Sequence, residues 1–172
     1  LKNADELYQT IDNDLKEISQ STQINLELIK KNSQTEKEKS IELIDDCLDR
    51  EICFTQETTL SDHRVFNTVK KAIEKGYYIR LYYVGLDTVE ESILRIENRV
   101  KKGGHNIPDT DVKRRFNKRF EDLVAVLQYC DEATFYDNEN GFVAVAEYKN
   151  GEILQIGSSR PKWLEELMEY MS

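Results

Sequence analysis

The sequence predicts an α/β domain in which a mainly parallel sheet is covered by helices, with a β-hairpin towards the C-terminal side. Three observations carry this. Strand-length apolar runs alternate with helical periodicity between residues 52 and 136, in the order strand, helix, strand, helix, helix, strand that a parallel sheet requires. Lys149-Asn150-Gly151 separates two further short apolar segments, and Asn-Gly favours the primed hairpin turn. The 172 residues, 39% hydrophobic and 33% charged, suffice for one domain with a real core.

The elements follow in order. Leu7, Ile11, Leu15 and Ile18 fall at helical spacing, and Ser33 with Glu36 opens a helix carrying Ile41, Ile44 and Leu48 on one face. Gln23-Ile24-Asn25-Leu26 between them reads as a short strand or a loop. Ile52-Cys53-Phe54-Thr55 reads as a buried strand. From about residue 62 a helix turns Val65, Phe66, Val69 and Ile73 inward, with Gly76 as its left-handed stop. Residues 77–84 form the strongest strand, ended by Gly85.

Asp87 and Glu90 are the expected caps of a helix with Val89, Ile93, Ile96 and Val100 on its apolar face. After Lys101-Lys102-Gly103-Gly104 and Pro108, a long helix carries Val112, Phe116, Phe120, Leu123 and Leu127. A strand over 132–136 leads to the hairpin of 142–148 and 152–156. Pro161 then opens a closing helix with Trp163, Leu164 and Leu167. One domain is expected over 1–172: a helical part over 1–50, an α/β core and lid over 51–157, and a C-terminal helix over 158–172.

No apolar run approaches the roughly 20 residues that span a bilayer, and no signal-peptide pattern opens the chain. A cytoplasmic protein without membrane contact is expected. The first residue is Leu1, which leaves open a processed start or residues outside this sequence. Cys47, Cys53 and Cys130 show no CxxC spacing, and with His63 and His105 as the two histidines no zinc set is expected. They read as free thiols of a reducing compartment.

The net charge of −9 is uneven. Residues 95–119 hold Arg95, Arg99, Lys101, Lys102, Lys113, Arg114, Arg115, Lys118 and Arg119 against Glu97, Asp109 and Asp111, so this segment is +6 and the remainder −15. A cationic stripe on an acidic protein suits a small anionic ligand and disfavours nucleic acid, whose length would bring it against the acidic surface. A solvated helix face with local ion pairs is the plainer alternative.

Ligands of such sheets sit beyond the carboxyl ends of the strands. That rim would gather Glu57, Thr58 and Thr59, the turn at Gly85-Leu86-Asp87, and Asp137. An acid beside two hydroxyls can orient or deprotonate a substrate hydroxyl, although Thr58, Thr59 or Ser61 could equally cap the next helix. Arg99, Gly103-Gly104, Pro108 and Arg114-Arg115 describe a mobile basic lid, because guanidinium forks bind phosphate oxygens in pairs. His105 reads as a cap or packing residue, and His63 as a surface one.

Taken in order, Phe54-Thr55-Gln56-Glu57-Thr58-Thr59-Leu60-Ser61, Ile79-Arg80-Leu81-Tyr82-Tyr83-Val84-Gly85-Leu86, Arg99-Val100-Lys101-Lys102-Gly103-Gly104-His105-Asn106-Ile107-Pro108, Arg114-Arg115-Phe116 and Tyr136-Asp137-Asn138 resemble the zeta-toxin family of P-loop kinases, in its standalone bacterial branch. The resemblance runs from about residue 50 to 155. It implies an ATP-dependent kinase fold, with UDP-N-acetylglucosamine as the substrate of the better-known members. It further implies a toxin–antitoxin setting in which a small antitoxin protein blocks the nucleotide site. By position, Glu57, Thr58 and Thr59 would line the sugar side, and Arg99 with Arg114 or Arg115 would be the phosphate-contacting lid arginines.

Two departures follow. The family's first strand ends in a Gly-rich loop with Gly-Lys-Ser/Thr, which cradles phosphates and holds magnesium, whereas the first glycine here is Gly76. Leu7-Tyr8-Gln9-Thr10 resembles the stretch after that loop, but residues 2–6 stand where Gly-Lys-Ser would be. The family's catalytic aspartate is replaced by Glu27 in Ile24-Asn25-Leu26-Glu27, and about 1 Å of displacement matters to catalytic geometry.

The expected fold is therefore P-loop-kinase-like without its central first strand. That strand would lie between those at 52–57 and 77–84, and its loss exposes an edge that invites an antitoxin-like partner or self-association. The expected function is a degenerate or truncated kinase domain, inactive alone, retaining nucleotide-sugar or phosphate binding and needing no cofactor by itself. The alternative is an active kinase whose loop, with ATP and magnesium, comes from residues or a chain not present here.

Overall fold

The computed structural model describes Gln9 and residues 35–61, 63–139 and 142–172. The periodic segment at 7–18, the alternatives at 23–26, Ser33 and Glu27 lie outside the described residues. The elements are α1 (Thr35–Asp49), α2 (His63–Glu74), β1 (Arg80–Gly85), α3 (Val89–Lys101), α4 (Asp109–Leu127), β2 (Glu132–Asp137), β3 (Val143–Lys149), β4 (Glu152–Gln155) and α5 (Lys162–Met171). None of these helices is long and apolar enough to cross a membrane.

The chain divides into two compact units, Leu1–Glu57 with Glu74–Tyr77, and Thr58–Ile73 with Tyr78–Ser172. In the first, α1 ends in buried Cys47 and Leu48. The Tyr77 hydroxyl donates to the carbonyls of Cys47 at 2.9 Å and Ile52 at 3.2 Å, and Phe54 meets the Tyr77 ring edge-on at 6.2 Å. The strand expected at Ile52-Cys53-Phe54-Thr55 is not formed: residues 52–59 have no regular secondary structure. Apolar composition prepares a strand, but the strand exists only with a ladder partner, and this segment's carbonyl at Ile52 is instead held by a side chain.

The second unit holds the sheet, ordered β1-β2-β3-β4. It is mixed rather than mainly parallel. β1 pairs with β2 in parallel, whereas β2–β3 and β3–β4 are antiparallel. Short turns can only reverse a chain, so Asn150 (φ 54) and Gly151 (φ 87) make an antiparallel hairpin in the expected place. The parallel β1–β2 pair uses α3 and α4 as its crossover. β2 alternates half-buried and buried positions, and its inner residues Ala133 and Phe135 meet Leu123, Val126, Leu127, Val145, Ala146, Trp163, Leu164 and Leu167 in the core.

The helices match their expected faces in part. Val65 of α2 is buried with Phe66 and Val69 against the core, but Ile73 is 42% exposed and Ala72 is buried instead. α3 buries none of its residues. α4 starts after Pro108 and buries Val112, Leu123, Val126 and Leu127. α5 starts after Pro161 with Trp163, Leu164 and Leu167 in the core, as its spacing requires.

Candidate functional site

β1 and β2 deliver Gly85 and Asp137 to one rim in register with each other. This rim is packed. A Cβ at Gly85 would stand 2.1 Å from Cε2 of Trp163, so glycine here is what lets the indole lie against the strand end. The Trp163 ring also meets Tyr83 at 5.7 Å and Phe135 at 6.5 Å. Its Nε1–H donates to Asp137 Oδ1 at 3.2 Å, and its backbone N–H donates to Asp87 Oδ1 at 2.8 Å.

Asp87 therefore caps α5, not α3. The cap of α3 is Thr88, whose hydroxyl accepts from the Glu91 N–H at 3.3 Å. A side-chain oxygen caps whichever helix start it can reach, and folding brings the start of α5 to Asp87. Both carboxylates are thus engaged in holding α5. Nearby, Asp87 and then Glu91 push the carboxyl of exposed Glu139 up, with Asp137 adding to it. The rim is acidic where a phosphate would need the opposite sign.

The basic turn between α3 and α4 is built differently. Gly103 N–H donates to the Val100 carbonyl and Gly104 N–H to the Arg99 carbonyl, both at 2.9 Å, with Gly103 at φ 86. This paired closure is a Schellman cap. The double glycine, read from sequence as a hinge, is a closed helix end: Gly103 supplies the left-handed residue and Gly104 the close approach, since a Cβ there would meet Arg99 Cγ at 2.5 Å. Arg99 Nη2 donates to the His105 carbonyl at 2.9 Å, tying the guanidinium across its own loop.

Several other cations of the stripe are also engaged. Arg95 donates to the Asn138 carbonyl at 2.6 Å, fastening α3 to the segment after β2. Arg114 pairs with Asp111 at 3.2 Å, and Lys118 approaches Glu121 at 3.9 Å. Arg119 bonds Glu166 at 2.8 Å and lies over the rings of Phe116 and Phe120. Arg115 differs from its neighbour. It is half-buried, whereas Arg114 is exposed, and its buried Nε has no hydrogen-bond partner among the described residues.

Thr58 and Thr59 use their hydroxyls locally. Thr58 Oγ1 accepts from the Leu60 N–H at 3.0 Å, and Thr59 Oγ1 shares a 2.8 Å hydrogen bond with Ser61 Oγ. This turn holds Leu60 at φ 59 with its side chain buried in the core. A left-handed leucine is costly, and burial in that core stabilises it. Glu57 is exposed and is the last residue of its stretch of the first unit.

Of the sequence-derived site residues, α3, α4 and their shared turn bring Arg99, Arg114 and Arg115 into one segment, while Thr58 and Thr59 form a turn of their own. Sequence reasoning missed the roles of Trp163 and Arg95. The available signal for Trp163 was that the one tryptophan of the chain follows Pro161 by two residues. Nothing in one dimension pairs it with Gly85.

Chemically, the α3–α4 turn offers fixed positive charge and guanidinium donors. The described residues show no group of three His, Cys, Asp or Glu side chains that could hold a metal ion, and residues 1–75 contain no glycine for a phosphate-cradling loop.

Residues 25–146 match the family model described as zeta toxin. A Haemophilus influenzae protein, described as an uncharacterized protein, is 40% identical over 78 residues, which is 45% of this chain and 56% of that protein. The chain thus spans little more than half the length of this relative. No solved structure matches.

Proposed function

Because the chain belongs to the zeta toxin family, we propose that it is a degenerate kinase-like domain that does not transfer phosphate alone and keeps an anion-binding end at the α3–α4 turn. The observation that carries this reading is the glycine-free stretch of residues 1–75, which contains no Gly-rich Gly-Lys-Ser/Thr sequence for a phosphate donor. The engagement of Asp87 and Asp137 by Trp163 supports it, since each spends one carboxylate oxygen on holding α5. The ligand class is a nucleotide sugar of the UDP-N-acetylglucosamine type, or its phosphates alone. Of the adjacent arginines, Arg115 is the better phosphate partner, because Arg114 already pairs with Asp111 whereas Arg115 Nε has no hydrogen-bond partner among the described residues. Arg99, close to the same turn, would add charge.

The second reading is an ATP-dependent nucleotide-sugar kinase of a toxin–antitoxin pair, completed by a Gly-Lys-Ser loop on other residues or another chain. Membership in the family favours it.

Calorimetry with UDP-N-acetylglucosamine and with ATP–magnesium separates the two. The first reading expects heat from the sugar nucleotide and none from ATP–magnesium. It also expects about tenfold weaker binding in Arg115→Ala, the loss of one charge-assisted hydrogen bond. Silence from the sugar nucleotide, or an unchanged affinity in both Arg115→Ala and Arg99→Ala, overturns the retained site. Phosphate transfer from ATP to the sugar nucleotide would favour the second reading.

A further inference from the structure

We infer that the outer edge of β4, with the cleft beside it, is a docking site for an extended peptide segment that pairs with β4 as an added strand and carries basic residues beside an apolar one. Among the described residues, sheet order makes β4 an edge. Its hairpin fixes which main-chain groups face outward. Lys149 and Glu152 flank a two-residue turn, and such a turn closes on a hydrogen-bonded pair. Glu152 and Leu154 therefore point their main-chain groups at β3. The Ile156 N–H, bonded to the Val145 carbonyl at 2.9 Å, continues the same alternation. The main-chain groups of Ile153 and Gln155 are left facing outward.

On the side chains of these same two residues lies α5. Gln155 Nε2 donates to Met168 Sδ at 3.5 Å, and an open cleft of about 330 Å³ is lined by Gly151, Glu152, Ile153, Met168, Met171 and Ser172. A strand added to β4 places the residue opposite Ile153 on the face of this cleft, since directly opposed residues share a face. Main-chain bonds along an edge with a pocket for alternate side chains is the geometry of strand addition. Methionines make the pocket adaptable: Met168 and Met171 are both 36% exposed.

Charge decides the occupant. Glu152 lines the cleft, and Glu165 lies one helical turn before Met168 on the same helix face. Neither is in an ion pair among the described residues. A second copy brought edge to edge would set these acids near their own equivalents, whereas a segment with lysine or arginine beside its apolar residue meets them with opposite charge.

The test uses the whole ¹⁵N-labelled chain and two blocked pentapeptides, Lys-Val-Leu-Val-Lys and Glu-Val-Leu-Val-Glu. The basic peptide is expected to shift the amides of residues 151–155 and 168–172, and to bind at least about tenfold more tightly than the acidic one. Glu152→Lys, an exposed change, is expected to remove that preference. Equal affinity for the two peptides, shifts confined to other residues, or a preference that survives Glu152→Lys overturns the proposal. So does a change of the residue 151–155 amides on dilution of the protein without peptide, which would assign the edge to a second copy.

Discussion

The two places where this chain could meet a ligand, the strand ends of β1 and β2 and the turn between α3 and α4, spend their polar groups in opposite ways. At the strand ends, Asp87 and Asp137 accept hydrogen bonds from Trp163 and hold a core helix in position. Beside the turn, Arg99 sits near the end of α3, which buries no residue, whereas Arg115 lies half-buried within α4, with no hydrogen-bond partner for its Nε among the described residues. The strand-end carboxylates each spend an oxygen on anchoring a core helix, whereas Arg99 and Arg114 are held by exposed local bonds to His105 and Asp111. The rim that topology makes most conspicuous thus serves packing, and the anion-binding end proposed above is placed at a helix-to-helix turn instead.

The largest test of this contrast is Trp163→Ala. Trp163 is 1% exposed and its indole Nε1–H is bonded to Asp137, so loss of the ring is expected to cost about 3–5 kcal/mol in urea unfolding followed by circular dichroism. A cost under about 1 kcal/mol would show that the strand ends are not packed in this way. Gly85→Ala comes next, at about 1–3 kcal/mol, because the indole that its Cβ would strike is itself locked. Gly103→Ala has open space around its Cβ but φ 86, so the expected loss is conformational and about 1 kcal/mol. If the double glycine were a free hinge rather than a cap, that substitution would leave the unfolding midpoint unchanged.

The smallest effect lies away from both ends, at Glu132. Hydrogen bonds from Lys149, at 2.6 Å, and from Tyr78 hold its carboxyl below the usual glutamate range. A depressed folded pKa stabilises above the unfolded pKa, and the contribution is lost as pH falls through the folded value. Urea midpoints measured down an acid series should therefore decline less steeply in Glu132→Gln than in the parent chain. Parallel declines would remove Glu132 from the account.

Much of the fold was legible in one dimension. Val112, Leu123 and Leu127 announced α4, Pro108 and Pro161 marked two helix starts, and Asn150-Gly151 marked the hairpin, each through a local rule of periodicity or φ. Ile52-Cys53-Phe54-Thr55 misled because strand formation depends on a neighbour that no local pattern contains. For the candidate site, the placing of Arg99 near the end of α3 and of Arg114 and Arg115 within the next helix followed from sequence spacing. The internal hydrogen bonds of Arg95 to Asn138 and of Arg99 to His105 did not, because each depends on where a loop carbonyl lies in space.

Sequence alone determined the features set by nearest neighbours: helix starts, the left-handed glycines, the sign of charge along residues 95–119, and the lack of glycine before Gly76. Tertiary structure alone decided which of those features were available. It brought Trp163 to Gly85 across 78 residues and so converted two rim carboxylates into acceptors for one tryptophan. The physical reason is range: dihedral preferences and charge act along the chain, whereas close packing and the demand that buried donors be satisfied act between segments that the chain order does not connect.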